Sequence, residues 1–460
     1  MFKRLIMIKW IFLAFYSSFM LANNKIIIQG KFLDIEQHEI HFLKLEQFEI
    51  GSKIIATTTV ENESFKFELP SNTQPGVYRL KYSPTNPNKY FDIIINGMET
   101  LIEVTYKCNQ PNMFPNFNLQ SENYMYYSYL EHQTKYLEIL SISQYFLQNY
   151  PNPKETIYKQ VLKNYYSQCE KIKKIEKEYL KKNEKYFWAT SLIKNKPIYF
   201  QNNFTNNELI ETEKYQNYWN FIDVSNSKLL NTPLFSDHIL MYLQYHLNSN
   251  LKLSNEEIEI GLKQSVDKIL MHFSSNEAAQ KFAILYLLKG FQEIGFNQIV
   301  TYIDNKYQNL VLKYSSQNEI ETYLNRKEAY EKLKPGTLAP NIEWKEANKE
   351  EKSGLHQIKA KEIVLVFWSS ECPHCEETMK KLDNWAINNK DKAVIAIGIE
   401  TEKEKYFESI KKYKNIQFYT DFKGFESIPV KEYAVNATPT FYLIDENKLI
   451  IKSYDYYPFN

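Results

Sequence analysis

The chain from Lys25 to about Lys107 consists of short apolar runs separated by turn residues. In Glu39–Leu45 polar and apolar positions alternate, which is the period of a strand with one buried face. Strands that recur at intervals of roughly 8–12 residues are typical of a small antiparallel sandwich or barrel. We therefore predict an N-terminal all-β, sandwich-like domain over residues 25–107. Its strands are residues 26–30, 39–45, 54–60, 64–69, 77–82, 91–95 and 101–106.

From residue 120 to residue 334 the apolar positions recur with helical spacing instead. Ile172, Ile175 and Tyr179 lie three or four residues apart, and lysines and glutamates fill the positions between them. Asn255 and Asn276 each precede a glutamate, as the N-cap of a helix often does. These patterns predict a central all-α region, which ends where Pro335 and Gly336 interrupt the helical period.

In residues 336–460 the spacing of apolar positions changes for the second time. The run Ile363–Trp368 contains no polar residue, as expected for a strand that is buried on both faces of a sheet. A helical stretch and a second apolar strand at 393–399 follow it. Further on we predict a helix at 403–413, a strand at 416–420, a short helix at 430–433 and a hairpin of 439–445 with 449–454. This order predicts an α/β domain, so the fold class is multidomain.

Composition agrees with several soluble domains. At 460 residues the chain is too long for one core, since a domain has roughly 150 residues. The hydrophobic content of 43% and the charged content of 24% are those of a soluble globular protein. The net charge of +1 argues against a dedicated nucleic-acid binder, so we expect no nucleic-acid partner.

The first 22 residues have the pattern of an export signal. Lys3, Arg4 and Lys9 precede an uncharged apolar stretch, and Ala22 ends a plausible cleavage site. The stretch is short for a membrane span, which needs about 20 apolar residues. We predict a signal peptide at residues 1–22 and a periplasmic or otherwise exported protein of the bacterial envelope, with no stable membrane span after cleavage. An uncleaved anchor is the alternative.

Two of the four cysteines form a Cys-x-x-Cys motif, Cys372 and Cys375. At the start of a helix, unpaired backbone N–H groups and the helix dipole favour a thiolate at the first cysteine. The second cysteine is then close enough to resolve a mixed disulfide. The spacing therefore predicts a redox pair in which Cys372 is the nucleophile and Cys375 the resolving thiol.

The residues around the motif tune it in opposite directions. His374 favours a thiolate at Cys372 and so a more oxidising disulfide, whereas Glu371, Glu376 and Glu377 oppose the thiolate. The sequence does not decide which effect dominates.

The cysteines have three other possible uses. A zinc site needs four ligands, and only His374 and His356 offer themselves as improvised partners, so we expect no metal. A purely structural Cys372–Cys375 disulfide is the second alternative. Cys108 and Cys169 could form a structural disulfide if their Cα atoms lie within about 7 Å.

Residues 336–460 resemble the thioredoxin superfamily, in particular the TlpA/ResA-like branch of exported bacterial oxidoreductases. The matching features are Gly336 with Ala339-Pro340, Phe367-Trp368-Ser369, Cys372-Pro373-His374-Cys375, Tyr433-x-Val435, Thr438-Pro439-Thr440 and Leu443-Ile444-Asp445. The resemblance implies a thioredoxin-like fold and a thiol–disulfide oxidoreductase. It implies protein thiols or disulfides and an upstream redox protein as partners, and no cofactor besides the redox-active disulfide.

The resemblance also implies roles for single residues. Pro439 would be a cis-proline beside the cysteines, and Thr438 would offer backbone groups to an extended substrate strand. Trp368 would pack beside the site, and Pro373 with His374 would tune its redox potential. The chain departs from the thioredoxin pattern at Val366, where thioredoxin has a buried Asp, and at its end, where the final helix is missing or reduced.

The layout ahead of this domain resembles that of exported Bacteroidota proteins with an uncharacterised β-domain and a helical region. We expect these parts to orient the redox domain or to select its partners. Two competing functions remain open: a non-catalytic exported adaptor that uses the thioredoxin-like domain as a scaffold, and a peroxidase of the peroxiredoxin type. The direction of electron flow is open as well.

Overall fold

The computed structural model describes residues 25–34, 39–45, 52–83, 86, 89–110, 113–196, 200–201, 204, 214–247, 251–345 and 352–459. The predicted signal peptide lies outside these residues. The described residues form two compact units, one within Met1–Leu251 and His272–Ala279, the other within Lys252–Met271 and Gln280–Asn460. The division runs through the helical region, and the boundaries 25–107, 120–334 and 336–460 of three separate domains stay a prediction.

The N-terminal part of the first unit is a pair of four-stranded sheets, which confirms the predicted β-domain. In the first sheet the order is β4-β1-β7-β8, and in the second it is β3-β2-β5-β6. Both sheets contribute to one core, in which Phe32, Phe42 and Phe67 are almost fully buried. The strands are β1 Ile26–Phe32, β2 Glu39–Leu45, β3 Ser52–Thr59, β4 Ser64–Leu69, β5 Gly76–Lys81, β6 Tyr90–Ile95, β7 Leu101–Tyr106 and β8 Asn116–Phe117.

The middle of the chain is helical, as its apolar period predicts. The helices are α1 Glu122–Asn149, α2 Thr156–Lys182, α3 Phe187–Lys194, α4 Leu234–Leu243, α5 Asn255–Phe273, α6 Glu277–Glu293, α7 Asn297–Lys306, α8 Gln308–Tyr314 and α9 Gln317–Leu333. Asn276 caps α6 by accepting the Ala279 N–H at 3.1 Å, as predicted. At α5 the capping residue is Ser254, whose hydroxyl accepts the Glu257 N–H, so the prediction for Asn255 was wrong by one position. None of the helices described by the structure combines the length and apolarity needed to cross a membrane.

The second unit contains a five-stranded sheet in the order β13-β12-β11-β14-β15. Strands β12 and β13 run parallel to β11, whereas β14 and β15 form an antiparallel hairpin at the other side. This mixed sheet confirms the thioredoxin-like α/β fold. Its elements are β11 Glu362–Trp368, α10 Pro373–Asn388, β12 Lys392–Gly398, α11 Lys403–Ile410, β13 Gln417–Tyr419, α12 Ile428–Glu432, β14 Thr440–Asp445 and β15 Ile450–Tyr454, with the small hairpin β9 Glu343–Lys345 and β10 Lys352–Gly354 before them.

Strand β11 is an uninterrupted apolar run because both of its faces are buried. Ile363, Leu365 and Phe367 face one buried cluster. Val364, Val366 and Trp368 face a second cluster. That cluster also contains Cys375 and Met379 of α10. Because successive side chains of a strand point to opposite faces, both faces must be apolar. The strand therefore ends, fully buried, directly ahead of the cysteine motif.

An aromatic segment follows β15. Phe459 stacks on Trp385 of α10 at a ring distance of 4.1 Å, and Tyr457 contacts Phe441 at 6.4 Å. Leu443 and Tyr454 pack against the same buried cluster. This segment therefore covers part of one face of the sheet.

Gly295 packs against the loop that leads to Thr438. Its φ of +73° is a conformation that side chains other than glycine adopt rarely, and it ends helix α6. A Cβ atom at this position would lie 2.3 Å from the Cβ of Ala437. The helical segment of the second unit thus contacts this loop closely only because residue 295 is glycine.

Asp455, just after β15, caps helix α7 of the same unit. Its carboxylate accepts hydrogen bonds from the Gln298 N–H at 2.9 Å and from Asn297 Nδ2 at 3.2 Å. Burial raises the pKa of Asp455 from 3.8 to about 6, although these hydrogen bonds oppose the shift. A raised folded-state pKa contributes stability that is complete below the unfolded-state value and is lost as the pH rises through the folded-state value.

We expect Asp455→Asn to remove this pH dependence, because asparagine stays neutral. The free energy of unfolding of the variant, relative to wild type, should rise between about pH 4 and about pH 6 by at most about 3 kcal/mol and then level off. Thermal melts of both proteins at several pH values would measure it. A difference that stays constant over this range would contradict the expectation.

Candidate functional site

The cysteine motif begins where strand β11 passes into helix α10. Cys372 is the N-cap residue of the helix, and Pro373 occupies the first turn, where its missing N–H costs nothing. The Cys372 N–H bonds to the Ser369 carbonyl at 3.2 Å, and the Cys375 N–H to the Cys372 carbonyl at 3.0 Å. The predicted placement of the first cysteine at a helix N-terminus is therefore what the structure has.

The two sulfurs differ in access. Cys372 is half-buried, whereas Cys375 is fully buried at 0% exposure. Burial raises the pKa of the Cys375 thiol to about 12, and its hydrogen bond with Cys372 acts in the same direction. The Ser369 backbone and the Thr438 side chain act in the opposite direction and lower this pKa. A partner can thus reach Cys372 from solvent, while Cys375 is a buried thiol at neutral pH.

The loop before β14 lies against the motif. The Cys372 thiol donates to the Thr438 carbonyl with a sulfur-to-oxygen distance of 3.6 Å. Thr438 and Pro439 are half-buried, and the peptide between them is cis, as the resemblance implies. The Thr440 hydroxyl donates to the Ala437 carbonyl at 2.8 Å. Two segments that are far apart in sequence, at 372–375 and 438–439, therefore meet at one place.

Trp368 and the dipeptide between the cysteines take different positions. Trp368 is 1% exposed and packs against Phe418 and Tyr406, at ring distances of 5.3 and 6.1 Å. It shares its cluster with Cys375, so it borders the site from inside the core. Pro373 and His374 are both exposed on the first turn of α10.

The glutamates that flank the motif are paired with lysines. Lys405 lies 2.6 Å from Glu371, and Lys381 lies 2.7 Å from Glu377. Glu376 binds two lysines, Lys380 of its own helix and Lys412, each at 3.1 Å. These ion pairs offset the negative charge that would oppose a thiolate at the motif. The sequence could not show this because Lys405 and Lys412 lie beyond the next strand.

One buried carboxylate near the site was missed by the sequence analysis. Glu400, directly after β12, is 2% exposed. It accepts hydrogen bonds from the Ser370 N–H at 2.5 Å and from the Ser370 hydroxyl at 2.8 Å. The available signal was an acidic residue at the carboxyl end of the predicted apolar strand at 393–399. The turn ahead of Cys372 is thus tied to a buried acid.

The structure does not form the disulfide considered for Cys108 and Cys169. Both are buried free thiols, in two different apolar clusters of the first unit. Burial raises the pKa of each thiol. Each side chain is instead packed as a small apolar group and is not joined to the other.

The histidine considered as a zinc ligand has another use. His356 Nε2 lies 2.6 Å from the Ala339 carbonyl oxygen, which occupies that nitrogen in a structural contact. Within the described part of the chain, no three His, Cys, Asp or Glu side chains are grouped so that they could hold a metal ion.

Part of the chain is similar in sequence to known proteins. The model of the AhpC/TSA family matches residues 335–453. The thioredoxin-like protein YneN of Bacillus subtilis is 29% identical over 147 residues, which are 31% of this chain and 81% of that protein.

Solved structures match as well. A thioredoxin-like protein from Bacteroides caccae is 16% identical, with 54% of this chain and 89% of that chain covered and a TM-score of 0.37. A domain of a possible thiol-disulfide isomerase from Cytophaga hutchinsonii is 32% identical, with 26% and 82% covered and a TM-score of 0.23.

Proposed function

We propose that the chain exchanges disulfides with protein thiols through Cys372 and Cys375, because residues 335–453 match the AhpC/TSA family model and contain the thioredoxin-like fold. The observation that carries this proposal is the arrangement of the two sulfurs: one is open to solvent at a helix N-terminus, and the other is buried one helical turn away. That difference assigns attack to Cys372 and resolution to Cys375.

The reaction is a pair of exchanges. The Cys372 thiolate attacks one sulfur of a substrate disulfide, a new sulfur–sulfur bond forms, and the other substrate sulfur leaves as a thiolate. Cys375 then loses its proton and attacks the Cys372 sulfur, which releases the second substrate thiolate. Two electrons have passed to the substrate, and Cys372 and Cys375 are joined. The reverse sequence oxidises a substrate dithiol.

The loop at Thr438 is the proposed docking edge for the substrate. Its carbonyl oxygen lies 3.6 Å from the Cys372 sulfur, so a strand that binds the Thr438 backbone would bring its own sulfur to Cys372. Pro439 shapes the same groove. Pro373 and His374 on the exposed helix turn, with Trp368 behind them, are the proposed tuning residues. We further propose that the protein acts after export, on the strength of residues 1–22, and that an upstream redox protein restores its active form.

The reduction potential of the Cys372–Cys375 pair tests the proposal. We expect a reversible two-electron couple between about −270 mV, as in thioredoxin, and about −120 mV, as in DsbA. Equilibration of the purified protein with glutathione buffers of graded composition would give the value. A potential near the lower limit indicates a reductant, and one near the upper limit an oxidant. Failure of the pair to oxidise reversibly, or turnover of hydrogen peroxide without turnover of protein disulfides, would overturn the proposal.

A further inference from the structure

The carboxylate of Glu400 is buried and fully engaged with the turn that precedes Cys372. A buried carboxylate is costly unless it is hydrogen-bonded, and both oxygens of Glu400 are bonded by Ser370. Ser370 donates its backbone N–H to one oxygen at 2.5 Å and its hydroxyl to the other at 2.8 Å.

The same turn is hydrogen-bonded to the cysteine motif. The Ser369 carbonyl accepts the Cys372 N–H at 3.2 Å, and the Ser369 hydroxyl accepts the Glu371 N–H at 3.2 Å. The Cys372 carbonyl in turn accepts the Cys375 N–H at 3.0 Å. The backbone that positions Cys372, and through it Cys375, is therefore bonded to the turn that Glu400 binds.

The backbone on both sides of Glu400 is hydrogen-bonded. Trp368 and Gly398 are partners in the parallel ladder of β11 and β12, and the Ile399 N–H bonds to the Trp368 carbonyl at 2.8 Å. The Glu400 carbonyl accepts the Gly424 N–H at 3.0 Å. The backbone of residue 400 is thus fixed on both sides. Its carboxylate can therefore restrict the movement of the turn at Ser370.

We propose that Glu400 is a positioning residue that fixes the turn Ser369–Ser370–Glu371 and so keeps Cys375 within reach of Cys372. The inference rests on the proposed exchange reaction and adds to it the group that aligns the second step. A displacement of reacting atoms by about 1 Å can cost on the order of a hundredfold in rate. Hydrogen-bonded anchors of this kind matter because they limit such displacement.

The test compares variants by their equilibrium with glutathione. Glutathione disulfide oxidises the dithiol to the Cys372–Cys375 disulfide and is itself reduced to two glutathione molecules, so the equilibrium constant reports how well Cys375 is aligned with Cys372. We expect Glu400→Ala to lower this constant by about tenfold and to raise the share of Cys372–glutathione mixed disulfide. Glu400→Gln should stay within about twofold of wild type, because its amide oxygen still accepts the Ser370 N–H.

Glu402→Gln is the matched control, since Glu402 is exposed two residues further along the chain. If Glu400→Ala does not fold, the double variant Ser369→Ala/Ser370→Ala removes only the hydroxyl contacts, and we expect a fall of about threefold. Wild-type constants in the alanine variants, or a Glu400→Gln variant as impaired as Glu400→Ala, would overturn the positioning role. Inactivity of the wild type on protein disulfides would overturn the proposed function but not the positioning role. The glutathione equilibrium measures the alignment of the two cysteines without any protein substrate.

Discussion

Replacing Cys372 by serine is expected to lower the rate of insulin disulfide reduction by at least about a thousandfold, to the uncatalysed background. The serine hydroxyl is not ionised at neutral pH and cannot form a disulfide, so the first exchange step is lost entirely. Cys375 cannot take over, because it is fully buried and burial raises its pKa to about 12. Turbidity of insulin in the presence of dithiothreitol measures the rate.

Cys169→Ala provides the control for the loss of one thiol. Cys169 is buried in the first unit, in a cluster with Leu140, Tyr165 and Ile172, and takes no part in the proposed exchange. Cys169→Ala should reduce insulin at the wild-type rate when the two proteins are compared at equal concentrations of folded protein. A Cys372→Ser protein that keeps a tenth or more of the wild-type rate would refute the assignment of the nucleophile, whereas parallel losses in both variants would point to folding.

The fold could be predicted where the apolar period is strong and local. Strand β11 is an unbroken apolar run, and its two faces enter two different clusters, as a central strand of a mixed sheet requires. The alternation in Glu39–Leu45 likewise gave one face to the core. In both cases the side-chain period is set by the strand itself, so no knowledge of distant residues is needed.

The site was predictable only as far as its motifs are contiguous. Cys372 and Cys375 define a helix N-terminus by their spacing, and the resemblance placed Thr438 and Pro439 beside them. Glu400 and Lys405 reach the same turn across the parallel pair β11 and β12, a relation that sequence spacing does not encode. Physical contact between separate segments depends on the register of the sheet, which the sequence alone leaves undetermined.

One wrong cap prediction and one open cysteine pairing were both decided by contacts that spacing does not show. Asn255 and Ser254 are both good N-cap residues, and only the Glu257 carboxylate, which binds the Ser254 N–H and hydroxyl, decides between them. Cys108 and Cys169 were considered together because an oxidising compartment favours pairing. Each instead fills a place in its own apolar cluster, which the burial pattern of the folded chain determines.

Replacing Cys375 by alanine is expected to stop the reaction after its first step. Cys372 keeps its place at the helix N-terminus and can still attack, but the mixed disulfide no longer has a neighbouring thiol to resolve it. We expect the lifetime of the adduct to rise by at least about a thousandfold, since an intramolecular thiol acts at an effective concentration that free thiols in solution do not reach. Mass spectrometry after mixing with glutathione disulfide would show one glutathione on Cys372 of nearly every molecule.

The stable glutathione adduct distinguishes attack from resolution, because it forms only when Cys372 is present and Cys375 is absent. Cys372→Ser should gain no glutathione, and the double variant Cys372→Ser/Cys375→Ala should gain none either, while wild type should pass through the adduct to the internal disulfide. Cys108 and Cys169 should remain unmodified in all four proteins, because both thiols are buried. Stable modification of Cys375 in the Cys372→Ser protein would mean that the buried sulfur is reachable, and the division of labour between attack and resolution would have to be reversed.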